Sequence, residues 1–349
     1  MRTIKETPPR LVEDGRVVDL GAFREPFREL NLEEADIFRV KSARLRPLVR
    51  LRLKEWQHFG VIHPRHYLGM VIFDAKFMSV SFVYHFDRST GRMSEHSRQA
   101  PGGRARLPET TWRGECAFSA RGYSMQVENR LEEGYHRVRL EVASRGGLPS
   151  MRGEFRMLED LGRFQPLVVV SPFSPNRPLY THKAACPVEG RVTVGEEVIE
   201  LDPSRDVCLL DEQKSFYPYR SFWKWMTFAG YDREGRLLAA NLCHNNIGQD
   251  EIYSENCYWI DGKIRLTGAA RFAYSEADML GPWFIKTTDG AVDVEFRPLG
   301  ERAQRIRLGP LLSDFHQPFG LFRGRMGRGG ESVAVDDLFG LCEQHVTRY

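Results

Sequence analysis

At 349 residues the chain is long for one core, and a prior of roughly 150 residues per domain gives about two domains. An apolar fraction of 42% and an aromatic fraction of 11% fit a globular protein, while 50 Lys and Arg interspersed with 47 Asp and Glu leave +3 and give no nucleic-acid or membrane-surface footprint. The six cysteines (116, 186, 208, 243, 257, 342) form no Cys-x-x-Cys pair, and no stretch reaches the roughly 18 apolar residues of a membrane helix, so zinc and a membrane span are both disfavoured.

Residues 1–40 hold little periodicity and read as an N-terminal extension. Asn31 followed by Leu-Glu-Glu-Ala-Asp predicts a short helix near 31–38, with an N-cap and early acids. The basic run Arg39–Arg52 alternates with Leu and Val and reads as the polar face of a strand. Tyr67–Asp74 and Phe77–Phe86 are rich in β-branched and aromatic residues, and Asp87–Gly91 predicts a turn. Four further alternating segments, near 114–120, 123–129, 136–142 and 151–157, follow at meander spacing, with glycines between them. Residues 160–182, dense in proline, read as the crossing between two domains, and 202–222 as an irregular aromatic segment.

The second half repeats the style. Phe222–Ala229 and Leu237–Cys243 flank a turn at Asp232–Gly235. Asp261-Gly262 predicts a two-residue hairpin, and Asp289-Gly290 another turn between strands. The end of the chain, Asp336–His345, reads as a final strand. The sum is an all-β protein of two tandem up-and-down antiparallel β-barrels: 1–40 an extension, 41–165 the first barrel, 166–349 the second. Barrel closure removes the unpaired edges of a meander. A barrel of about eight strands has an interior that side chains fill or that holds one small ligand.

Between two such strands lies a polar run, His244 to Asn256. Glu255 and Asn256 stand just before Cys257-Tyr258-Trp259, at a barrel rim. A carboxyl held against aromatics has a raised pKa and suits a general acid, which makes Glu255 a candidate catalytic residue, with Asn256, His244 and Trp259 beside it. The alternative is a solvated loop in which Glu255 pairs with an arginine. Asp314, His316 and Gln317 precede Pro318-Phe319-Gly320 and offer acid–base groups close together. Glu343 and His345 lie two apart and share one face of a strand. His182 and Asp211 border the expected crossing. Trp223, Trp225 and Trp283 are aromatic wall or core. His63-Pro-Arg-His66 lacks companion ligands and is not read as a metal site.

Several segments resemble the bacterial DUF2804 family: Phe23–Asn31, Lys54–Gly60, His182–Gly190, Asn241-Leu242, Glu255-Asn256, Gly281–Trp283, Asp289-Gly290, Ser313–Gly320 and Leu341–Arg348. The resemblance spans nearly the whole chain and implies little chemistry. More distantly, the tandem-barrel reading resembles the calycin group that includes carotenoid hydratases, tocopherol cyclases and other lipocalin-like enzymes, which implies two tandem lipocalin-like antiparallel β-barrels. That likeness implies acid–base chemistry at a barrel mouth, and no catalytic residue transfers position by position.

The expected function is a cofactor-independent acid–base enzyme of hydratase, cyclase or isomerase type. It would act on a hydrophobic or partly hydrophobic small molecule, with no nucleic-acid partner. Glu255, His316, Asp314 and Asp211 are the expected catalytic groups. Asn256, His244, Trp259, Trp283, Trp223, Gln317, Glu343, His345 and His182 are the expected ligand contacts. A non-catalytic carrier of a lipid-like ligand, or a carbohydrate-processing enzyme with paired carboxylates, are the alternatives. The composition fits a cytoplasmic protein with reduced thiols.

Overall fold

A computed structural model describes residues 2–37 and 46–348. It is almost entirely β and divides into two compact units, the first Lys5–Phe216 and the second Met1–Ile4 with Tyr217–Tyr349. Among the described residues no helix is long and apolar enough to cross a membrane.

The first unit is built on a fifteen-stranded sheet. Its main path runs Arg92–Pro101, Met78–Asp87, His66–Asp74, Lys54–Ile62, Val207–Ser215, Arg177–Val194, Met151–Met157, Tyr135–Val142, Tyr123–Arg130, Gly114–Ala120 and Ala105–Arg106. The sheet curls back on itself, because the Ala105 N–H, at one end of the path, donates to Ser79 Oγ, one strand in from the other end. The second unit is a nine-stranded antiparallel sheet in the order Lys263–Leu266, Cys257–Ile260, Leu237–Asn245, Arg220–Tyr231, Val333–Arg348, Leu311–Met326, Val292–Leu308, Trp283–Thr287 and Ala270–Ala273. Its two edge strands are joined by Thr267–Ala269 alone, so this sheet curls as well. Met226, Phe228, Leu242, Trp283, Phe296 and Phe322 pack inside the curl.

The hairpin at Asp261-Gly262 forms as the sequence predicts. Ile260 pairs with Lys263, and both turn residues have positive φ (50° and 74°), the geometry for which Gly at the second position is suited. The final strand also forms, over Val333–Arg348.

Four expectations change. The first concerns the domain boundary, which falls between Phe216 and Tyr217 and not at 165/166. The proline-dense stretch is a hairpin of Leu167–Ser174 with Arg177–Val194, and the latter strand pairs with both Met151–Met157 and Val207–Ser215, so it cannot leave the first unit. Residues 207–215, expected to be irregular, are a central strand bonded on both sides. The helix near 31–38 is a single 3-10 turn, Leu32–Glu34. Asn31 does not cap it; its amide instead binds the Val12 backbone twice, at 3.0 and 2.9 Å. Within the basic run, Arg46–Arg50 is a short α-helix, as a proline in its first turn allows, and 38–45 lie outside the described residues.

Candidate active site

The polar run that stood out in the sequence is the loop between the strands Leu237–Asn245 and Cys257–Ile260. Most of its groups brace the loop. Asn256 accepts from the Cys243 N–H at 2.7 Å and donates to the Gly268 carbonyl at 3.1 Å. His244 pairs with Asp250 at 2.5 Å, and Glu251 accepts from the Thr288 hydroxyl at 2.8 Å. Arg2 donates to Ser254 Oγ at 2.8 Å and to the Asn256 and Thr267 carbonyls at 3.2 and 3.3 Å. Burial lowers the Arg2 pKa, and Cys257, Glu255 and Glu251 partly offset that. Glu255 is buried and its backbone carbonyl accepts from Asn241, which in turn accepts from Trp225 Nε1.

A second group of residues gathers on one face of the neighbouring strands. Glu343 and His345 lie two apart on Val333–Arg348 and share a face, and their cross-strand partners on Arg220–Tyr231 are Trp225 and Trp223. The Glu343 carboxylate accepts from Trp223 Nε1 on one oxygen and from Gln317 Nε2, at 2.9 Å, on the other. Glu343 is buried, with one N–H donor on each carboxylate oxygen. The His345 ring lies between aromatic neighbours, 4.4 Å from Trp223 and 5.0 Å from Phe315, both edge-on. Its Nε2 is 2.8 Å from Ser313 Oγ, and its Nδ1 has no hydrogen-bond partner among the described residues. Burial first, then the charges of Arg302 and His316, lower the His345 pKa to about 3, so the ring is neutral at physiological pH. Four sequence candidates, Trp223, Gln317, Glu343 and His345, thus stand together.

Other candidates stand elsewhere. His316 and Asp314 lie on Leu311–Met326 but alternate with Gln317, on the opposite strand face. There His316 pairs with Glu301 at 2.6 Å and lies 3.5 Å from Asp314. Three strands separate them in the sheet from the strand that Glu255 precedes. Trp283 is packed in the core, stacked on Tyr274 at 3.6 Å, and Trp259 is buried opposite Ala239 and Ile264.

His182 and Asp211 belong to the first unit, on opposite faces of their strands. Asp211 pairs with Lys183 at 3.2 Å and accepts from Trp56 Nε1 at 3.2 Å. His182 belongs to an inward-facing charged network that the sequence did not reveal. Its Nε2 is 2.8 Å from Glu159 Oε1, and His136 Nε2 is 2.8 Å from Glu159 Oε2. His136 Nδ1 continues to Asn129 at 2.8 Å, and His182 Nδ1 to Thr111 at 3.1 Å. Glu212 and Lys214 stand beside them, with Lys214 3.0 Å from Glu55 and 3.6 Å from Glu212. Burial opposes ionisation of Glu159, yet the His182 charge and the two ring N–H donors bring its pKa down to about 2. Burial likewise opposes a charge on His182, and Glu159 outweighs it, raising His182 to about 9. The available signal was a polar residue on the apolar face of an alternating strand, as His136 is beside Val138 and Leu140.

The fold is lipocalin-like, of calycin type, with two curled β-sheets and buried ionisable side chains in each. The chain belongs to the DUF2804 family, described as a domain of unknown function, whose profile matches residues 1–349. No functionally curated protein matches it. Among solved structures, CghA with Sch210972 aligns at a TM-score of 0.53 and 11% identity, over 85% of this chain and 88% of that one. Kievitone hydratase from Nectria haematococca aligns at 0.48 and 11% identity, again over 85% and 88%. At such identities the likeness is one of fold.

Proposed function

We propose that the protein is a cofactor-independent acid–base enzyme of isomerase, cyclase or hydratase type, acting on a carbonyl-bearing hydrophobic small molecule at the Glu343–His345 face. The observation that carries this reading is the pairing on one strand face of a carboxylate with a neutral imidazole that has an unpartnered nitrogen. When the Ser313 hydroxyl donates to Nε2, the ring proton sits on Nδ1. That N–H is then a donor with nothing to bind until a substrate oxygen arrives.

A carboxylate base beside a neutral, hydrogen-bond-donating histidine suits proton abstraction next to a carbonyl. Glu343 takes the proton from the α-carbon. The C–H electron pair moves into a new C=C bond, and the carbonyl π pair moves onto oxygen, which accepts from His345 Nδ1. Return of the proton to a different carbon gives isomerisation. Addition of water or of an internal nucleophile to an unsaturated carbonyl runs through the same enolate. Trp223 and Phe315 supply flat apolar surface beside the reacting atoms.

The test is deuterium exchange. Hydrophobic ketones and enones are incubated with protein in D2O, and α-deuteration is read by mass spectrometry. The native chain accelerates exchange in a subset of them. Glu343→Gln loses at least about a hundredfold, as expected when a general base is removed. Exchange by Glu343→Gln at the native rate, or none by the native chain, refutes the assignment.

A further inference from the structure

The interior of the first unit holds a second polar site that the acid–base reading leaves unused. Four side chains form a patch on one sheet face. His182 is paired with Glu212, and Tyr180 with Lys214, on adjacent strands, and all four residues are buried. Two atoms of this patch lack hydrogen-bond partners among the described residues. The Tyr180 hydroxyl makes no hydrogen bond, and Glu212 Oε2 lies 3.8 Å from His182 Nδ1, too far for one. A buried polar group without a hydrogen bond is costly, so two in one patch mark a place built for something else.

What the two cations of the patch bind is informative. His182 Nδ1 faces Thr111 Oγ1, and Lys214 Nζ donates to the Pro108 carbonyl. Both oxygens come from one irregular segment, residues 107–113. That segment is fastened from outside: Trp112 Nε1 donates to the Pro26 carbonyl at 2.9 Å, Arg28 covers the Trp112 ring at 3.2 Å, and Glu109 accepts from the Asn31 N–H at 2.7 Å. The segment is a strap that lays two oxygen acceptors on an ammonium and an imidazole flanking one carboxylate.

We propose that these strap oxygens stand where the carboxylate of a small hydroxycarboxylic acid binds, its oxygens against Lys214 and His182 and its hydroxyl between Glu212 Oε2 and the Tyr180 hydroxyl. The strap opens to admit the acid. The site lies wholly within the first unit and is independent of Glu343, so either assignment can fail alone.

Calorimetric titration of the full chain with lactate and 3-hydroxybutyrate, against propionate and butyrate, tests this. At least one hydroxy acid binds about tenfold tighter than its deoxy counterpart, the scale of one hydrogen bond to a charged group. Tyr180→Phe removes one oxygen that has no partner to lose, so it folds, and it cuts the preference to near parity. Trp112→Ala unfastens the strap and tightens binding of all four acids. Equal binding of hydroxy and deoxy acids by the native chain overturns the proposal. So does the absence of binding in both the native chain and Trp112→Ala.

Discussion

Two histidines, one in each unit, show how a shared backbone plan yields opposite chemistry. His182 and His345 both sit on antiparallel strands and both are desolvated, which by itself disfavours the charged ring. His182 nevertheless rises to about 9, because a wholly buried Glu159 lies 2.8 Å away. His345 falls to about 3, because burial and then the charges of Arg302 and His316 lower it, and its hydrogen-bond partner is a neutral serine. Burial sets how much a neighbour matters, and the sign of the neighbour's charge sets the outcome. The first unit therefore holds a cation in its interior. The second holds a neutral imidazole on the same strand face as a buried carboxyl group.

The largest way to break this contrast is to remove Glu159. Glu159→Leu leaves two buried imidazoles without their acceptor. It should destabilise the first unit by roughly 3–5 kcal/mol, the usual cost of orphaning one side of a buried pair. Urea unfolding followed by circular dichroism measures this, and a loss under about 1 kcal/mol would mean the network bears little charge.

A comparable effect, roughly 3–5 kcal/mol, comes from pH. His182 has a folded pKa above its unfolded value near 6.5. Its contribution is complete below about pH 6.5 and is lost as pH rises through about 9. His345 has a folded pKa below that value, so its contribution is complete above about pH 6.5 and declines as pH falls toward about 3. Unfolding followed separately in the two units should show the first weakening on the alkaline side and the second on the acid side. In Glu159→Leu the alkaline loss should vanish while the acid one persists.

The sequence shows the β-architecture clearly because period-two alternation and glycine turns are local signals, as at Asp261-Gly262. It hides the central strand Val207–Ser215, since Asp211-Glu-Gln-Lys214 looks like a solvated loop. Those four side chains are buried because each strand face finds partners over 150 positions away in the chain, such as Glu55 for Lys214 and Trp56 for Asp211. The Glu343–His345 pairing is legible from spacing alone. Their meeting with Trp223 and Gln317 follows from strand order, which no local pattern carries. Glu255 stands out in sequence because it sits in a polar run, and the structure shows that run tying its own loop together.

The central claim is that His345 is a neutral ring with its proton on Nδ1, poised beside Glu343. Long-range nitrogen–proton correlation spectra of imidazole-labelled protein at pH 7 read this directly. The account predicts a neutral Nδ1–H tautomer for His345 and a doubly protonated ring for His182. A charged His345, or a proton on its Nε2, would contradict it.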